Sequence, residues 1–197
     1  MPSVEPGSTL GLGLKECFHS PLYSDLRIKD SNGLEYPVHR VIVCSQSPEA
    51  QTGVISLEHD DPGAVKAMLE FMYHGSYTHA DEDTAMLFVA RAYAIGDIYC
   101  VPELKDHAAA QFEELASARW DTPDFAHAMR IIYESIPEKG RGSMRDIVVH
   151  ITAQHHEVLL RVPEFQDTLD DFGVLGKDLL QALSNQLVDP PNVCISP

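Results

Sequence analysis

A switch of hydrophobic period at Pro62 limits this chain more than any other feature of its sequence. Before Pro62, apolar and polar residues alternate. Leu26 and Ile28 share one face of a strand, with Asp25, Arg27 and Lys29 on the other. Ser31-Asn32-Gly33 is a turn signal, because Asn and Gly tolerate positive φ. Leu34, Tyr36 and Val38 then alternate again, which predicts a hairpin. Pro37 has no N–H to donate, so it belongs at a strand end or a free edge. After Pro62 the spacing becomes helical. Val65, Met68, Leu69, Met72 and Tyr73 recur at i, i+3, i+4, i+7 and i+8.

The helices are punctuated. Asp60 or Asp61 can cap the one beginning at Pro62, and Gly75 ends it. Met86, Val89, Ala90, Tyr93 and Ala94 form a second stripe, with Gly96 as its stop. Leu104, Ala108, Phe112 and Leu115 form a third, opened by Pro102. Beyond Trp120 the pattern stays helical: Phe125, Met129, Ile132 and Ile136, then Met144, Ile147, Val148, Ile151, Val158 and Leu159. Pro137 to Gly142 breaks the chain between these two stripes. Phe165, Leu169 and Phe172 follow, then Leu179, Leu180, Leu183 and Leu187, with Gly173 and Gly176 as interruptions. Leu10, Leu14 and Phe18 fit a short helix near residues 9–19. The expected division is a tail over 1–20, a mixed domain over 21–118, a helical extension over 119–187 and a tail over 188–197.

Composition excludes several functions. A formal net charge of −16 repels a phosphate polymer, which argues against a nucleic-acid partner. The longest apolar runs fall far short of the roughly 20 residues that span a bilayer, so no membrane partner is expected. The N-terminus has neither a basic region nor an apolar segment of signal-peptide type. Cys17, Cys44, Cys100 and Cys194 are scattered, without a CxxC pair, and read as free intracellular thiols.

Candidate chemistry is sparse. His155, His156 and Glu157 are consecutive on a helix, where neighbours point about 100° apart and cannot converge on one metal ion. His74 and His79 flank a loop and read as solvated. Cys44 reads as a buried thiol on an apolar helix face, and Cys100 reads likewise. No nucleophile elbow or phosphate loop is present. Asp60/Asp61, Glu113/Glu114 and Asp170/Asp171 are adjacent carboxylates of helix caps and faces. No catalytic residue, cofactor or metal site is expected. A small enzyme using His155 or His156 is the weakest alternative.

Three strings carry a family resemblance: "YSDLRIKDSNGLEYPVHRVIVCSQSP", "ISLEHDDPGAVKAMLEFMYHGSY" and "ARAYAIGDIYCVPELKDHAAAQF". Together, from Tyr23 to Leu115, they closely resemble a BTB/POZ domain of the kind common in filamentous fungi. The helices after Trp120 are similar to the extension such proteins carry. The resemblance implies an α+β, mostly helical fold, with a small three-stranded sheet packed on a helix cluster. It implies a non-enzymatic protein–protein interaction module that dimerises, recruits a partner, or docks a cullin scaffold as a ubiquitin-ligase adaptor. It also implies a charged pocket at the dimer groove, whose matching positions are Asp25 and Arg40 beside His39. The structural alternative for these residues is a buried Asp–Arg or Asp–His pair that fixes the hairpin to the helix.

The sequence departs from that family after Ser47-Pro48, where a second helix rich in Phe and Ala normally pairs with the first. About a dozen residues are missing at the Pro48/Glu49 junction, naturally or through a gene-model error. The crossover still closes: a nine-residue helix rises about 13 Å, and six extended residues return about 20 Å. Val54, Ile55 and Leu57 are then expected as the third strand. The loss should uncover some of Val41, Ile42, Val43 and Cys44 and parts of the Met86–Ala94 helix. It also weakens the dimer and cullin readings and admits a degenerate chain without a stable partner.

Overall fold

The structure, a computed structural model, describes residues 13–18, 20–47, 57–78, 84–136 and 144–188. Residues 1–12 and 189–197 of the tails, the Pro48/Glu49 junction, Val54 and Ile55, His79 and the break at Pro137–Gly142 lie outside the described residues. Residues 13–18 are helical. Strands β1 (Leu26–Lys29) and β2 (Glu35–Val38) precede helices α1 (Arg40–Gln46), α2 (Pro62–His74), α3 (Ala85–Ile98) and α4 (Pro102–Arg119). Helices α5 (Pro123–Ser135), α6 (Met144–Leu159), α7 (Pro163–Asp171) and α8 (Gly173–Val188) complete the chain. It is mostly helical and divides into two compact units, Met1–Gln111 and Phe112–Pro197.

The hairpin forms as its alternation requires. β1 and β2 are antiparallel, with Leu26 opposite Val38 and Ile28 opposite Tyr36. Ile28 and Val38 are fully buried, whereas Leu34 lies at the turn and is exposed. Gly33 takes a φ of 84°, the left-handed geometry such a turn needs. The expected three-stranded sheet is corrected to two strands among the described residues. Leu57 makes a single parallel bridge to Asp30, just beyond the end of β1. The chain turns at once after Leu57, whose carbonyl accepts from the Asp60 N–H at 3.3 Å, and α2 begins at Pro62. Pairing has no residues through which to continue past Leu57.

The first unit's core joins Ile28, Val38, Val43 and Leu57 to Val65, Met68 and Leu69 of α2, Ile95 of α3 and Leu104 of α4. Asp61 caps α2 by accepting from the Ala64 N–H at 3.0 Å, and Gly75 closes the helix at φ 68°. Helix α3 passes through Gly96, which the sequence marks as its stop. A Cβ on Gly96 would meet Lys105 Cγ at 3.1 Å and Leu104 at 3.3 Å. That glycine is there for close packing of α3 on α4, not for a turn. Helix α8 likewise begins at Gly173 and runs through Gly176.

The uncovered surface expected around the shortened crossover is small. Val41 is 77% exposed and Val43 is buried, with Ile42 and Cys44 half-buried. Met86, Val89, Ala90, Tyr93 and Ala94 are all buried, so the α3 stripe is not laid bare. Polar side chains close the end of α1. Gln46 Nε2 donates to the carbonyls of Ile42 at 3.1 Å and Met72 at 2.8 Å. Ser47 is buried and donates through Oγ to the Tyr99 carbonyl at 2.6 Å.

The second unit packs Phe112, Phe125, Met129, Ile132, Met144, Val148, Ile151, Phe165 and Leu175 inward. Phe112 and Phe125 stack with ring centroids 6.5 Å apart. Val158 and Leu180, expected on inward stripes, are half or more exposed.

Gly75 makes a clean test of this architecture, because a Cβ there would touch nothing within 4 Å. Gly75→Ala should cost about 1–2 kcal/mol from backbone strain alone. A urea titration read by circular dichroism should show a lower midpoint with an unchanged slope.

Candidate interaction surface

Three residues that the sequence singled out, Asp25, His39 and Arg40, meet where the hairpin hands over to α1. Asp25 is exposed, and its N–H donates to the Val38 carbonyl at 3.3 Å, in line with the ladder. Its Oδ1 accepts from the backbone N–H of Arg40 at 2.7 Å. His39 is the N-cap of α1, and its side chain makes no capping bond. Asp25 therefore supplies from 15 positions away the acceptor that a helix N-terminus lacks, and its charge suits the positive end of the helix. The Arg40 side chain is exposed and makes no ion pair among the described residues. The buried Asp–Arg or Asp–His pair read as the alternative does not form.

His39 is buried and bonded elsewhere. Its backbone N–H donates to the Tyr73 hydroxyl at 2.7 Å, and its Nδ1 lies 2.9 Å from the same oxygen. Its Nε2 lies 3.0 Å from the Leu22 carbonyl, which can only accept. One assignment satisfies every group: Nε2–H donates to Leu22, and the Tyr73 O–H donates to Nδ1. Phe18 packs its ring on Tyr73, at 5.2 Å between centroids, and edge-on to His74. Burial raises the Tyr73 pKa, partly opposed by the hydrogen bond from His39.

Around this junction the surface carries Leu22 (63% exposed), Tyr23 (85%) and Val41 (77%). The turn before β1 is held by the Ser24 hydroxyl, which donates to the Pro21 carbonyl at 2.8 Å. The Leu22 N–H also donates to Ser20 Oγ, at 3.2 Å. Three exposed apolar or aromatic side chains thus lie close in the chain to the exposed Asp25 and Arg40 that this junction joins.

Sequence reasoning placed Tyr73 only in a core stripe and missed its polar role. It also missed two polar junctions, one buried and one half-buried. The Asp30 carboxylate, buried beneath the hairpin turn, accepts from the N–H groups of Asn32 and Leu34, both at 2.9 Å, and from the Tyr36 hydroxyl at 3.1 Å. An Asp opening a Ser-Asn-Gly turn is the local signal that would have found it. The Tyr99 hydroxyl donates to Asp60 Oδ2 at 2.7 Å, and Ser31 Oγ donates to the Asp60 carbonyl at 3.0 Å. No local pattern announces that second junction.

His150, His155 and His156 of the second unit hold structural partners. Trp120 and His155 stack in parallel, with ring centroids 3.8 Å apart and 3° between planes. His156 Nδ1 lies 2.8 Å from the Ala153 carbonyl, and Gln154 Nε2 lies 3.0 Å from His150 Nε2. A polar cavity of about 250 Å³ between α6 and α8 is lined by Arg145, Asp146, Val149, Asp178, Gln181 and Asn185, among others. Arg145 is buried there, lies over the Tyr133 ring and donates to the carbonyls of Tyr133 and Ile136. Among the described residues, no group of three or more His, Cys, Asp or Glu side chains is placed to hold a metal ion.

The BTB/POZ domain model matches residues 14–116, more than half of the chain, and the protein belongs to the BTB/POZ family. Domains of this family are protein–protein interaction modules and generally not enzymes. No curated protein matches the chain in sequence. No helix among the described residues is long and apolar enough to cross a membrane.

Tyr73→Phe should strand both the N–H and the Nδ1 of His39, at a cost of about 1–3 kcal/mol in a denaturant titration. Several tyrosines also make the fold sensitive to alkali. Burial and the Asp30 hydrogen bond push the Tyr36 pKa up to about 12. Burial also raises Tyr77, Tyr99 and Tyr133, helped by Asp60 at Tyr99 and Asp178 at Tyr133. The folded state holds these protons more tightly than the unfolded chain. Their contribution is complete below pH about 10, where an unfolded Tyr titrates, and is lost as pH rises toward 12 and beyond. Melting temperature should fall steeply from pH 10 upward, and Tyr36→Phe should make the fall shallower.

Proposed function

We propose that this chain is a non-catalytic interaction module that self-associates through the face built on Asp25, His39 and Arg40. The observation that carries the reading is the arrangement of charge on that face. Asp25 and Arg40 are exposed and joined by a hydrogen bond from the Arg40 N–H, and exposed Leu22, Tyr23 and Val41 lie within three residues of one or the other along the chain. The patch bears one charge of each sign, so it is locally neutral on a chain of net charge −16. Two copies related by a two-fold axis can set Arg40 of one against Asp25 of the other. His39 is the internal support of the face, because its ring is tied to Leu22 and Tyr73.

In this reading residues 21–118 form the interaction domain. Residues 119–187 form a helical extension of the kind carried by fungal members of the family, and its two-unit division near Gln111 supports a separately packed C-terminal body. The site of action is inside the cell. Docking of a cullin scaffold is the finer alternative, tested by mixing the purified chain with a cullin N-terminal domain. A degenerate chain without partners is the outcome if neither association is seen.

The test is light scattering coupled to size-exclusion chromatography over a wide range of protein concentration. The wild-type chain should move from monomer to a defined dimer as concentration rises. Arg40→Glu keeps the backbone N–H that Asp25 accepts from, so folding should be preserved. It should weaken the dimer by about tenfold or more by setting like charges together. A monomer at every concentration would sink the proposal.

A further inference from the structure

Resting on that reading, we infer that Tyr23 is the anchor of the self-associating face, presented by a turn that is held in a strained shape. Tyr23 has a φ of 63°. The left-handed region crowds the Cβ of an L-residue and is taken readily only by Gly, and less so by Asn or Asp. An aromatic residue there is an outlier. Among the described residues only Cys100 is a second non-glycine residue with positive φ.

The chain gives the Tyr23 side chain nothing in return. It is 85% exposed and has no hydrogen bond, ion pair or ring contact among the described residues. The strain persists because both neighbours are tied down. Leu22 gives its N–H to Ser20 Oγ and its carbonyl to His39 Nε2. Ser24 donates to Pro21 through both its N–H and its hydroxyl. Asp25 is bonded to Val38 and to Arg40. These bonds over-determine the turn and leave Tyr23 one backbone conformation.

An exposed outlier of this kind points to function, since strain survives where the surroundings enforce it. Here the consequence is preorganisation. A tyrosine carries a large amphipathic ring on two rotatable bonds, and its type is enriched at the centres of interfaces. Fixing its backbone in the free protein removes an ordering cost on association. Exposed Leu22 adjoins it in the chain and exposed Val41 adjoins Arg40, and the Asp25/Arg40 pair provides self-complementary charge at the same junction. The occupant that fits is therefore a second copy of this chain: a neutral, self-complementary patch lets two strongly acidic chains approach.

The experiment compares the wild-type full chain with Tyr23→Gly and Tyr23→Asn, which both accept the left-handed backbone. Each is followed by sedimentation equilibrium for association and by thermal melting at a monomeric concentration for stability. Both variants should melt at the wild-type temperature or above it, and both should weaken the dimer by about 30-fold or more, the loss typical of an anchor residue. If glycine at this position prevents folding, the asparagine variant carries the comparison alone. Variants that dimerise like the wild type would overturn the inference while leaving self-association intact. A wild-type chain that is monomeric throughout would overturn both.

Discussion

The Tyr73 hydroxyl is the interaction on which the first unit depends. It accepts from the backbone of His39 and donates to the ring of the same residue. The far side of that ring is left to hold the Leu22 carbonyl. One buried oxygen on α2 thus fixes the end of β2, the start of α1 and the turn before β1. Asp25 completes the junction by accepting from the first N–H of α1. Each polar group that burial strips of water finds a partner here, which is the condition for burying it at all.

A second set of polar contacts stabilises the region where apolar cover is short. Helix α1 has seven residues, and only Val43 in it is buried. Its end is held instead by Gln46 on the Met72 carbonyl and by Ser47 on the Tyr99 carbonyl. Tyr99 in turn bonds Asp60, whose carbonyl accepts from Ser31 in the hairpin turn. These bonds link α1, the entry to α2, the α3–α4 turn and the hairpin. Directional hydrogen bonds here hold the C-terminal end of α1. They locate α1 without enlarging the core. The same economy leaves Val41 in solvent, next to the face proposed for association.

Much of this was legible in the sequence. The alternation of Leu26, Ile28, Tyr36 and Val38 reported the hairpin and its buried face, and helical stripes reported α2 to α6 closely. Periodicity works for these elements because a residue's burial on a helix or strand is set by its neighbours along the chain. Glycines misled the reading. Gly96, Gly173 and Gly176 look like stops, yet all lie in helices, and a Cβ at Gly96 would crowd the Leu104 and Lys105 side chains of α4. Asp25, His39 and Arg40 were found through the family pattern alone, and their partners were not. Tyr73 is 34 positions from His39, and Tyr99 is 52 from Ser47. No local spacing encodes such a pair.

The amino-acid order by itself determined most of the elements and the family, since these follow from period, turn chemistry and residue type. The tertiary structure alone decided three things: that Asp25 caps a helix instead of pairing with a guanidinium, that Leu57 meets the end of the hairpin at Asp30 through one parallel bridge, and that a tyrosine stands exposed in a left-handed turn. Each results from groups distant in the chain being brought within about 3 Å, a distance that only packing can set.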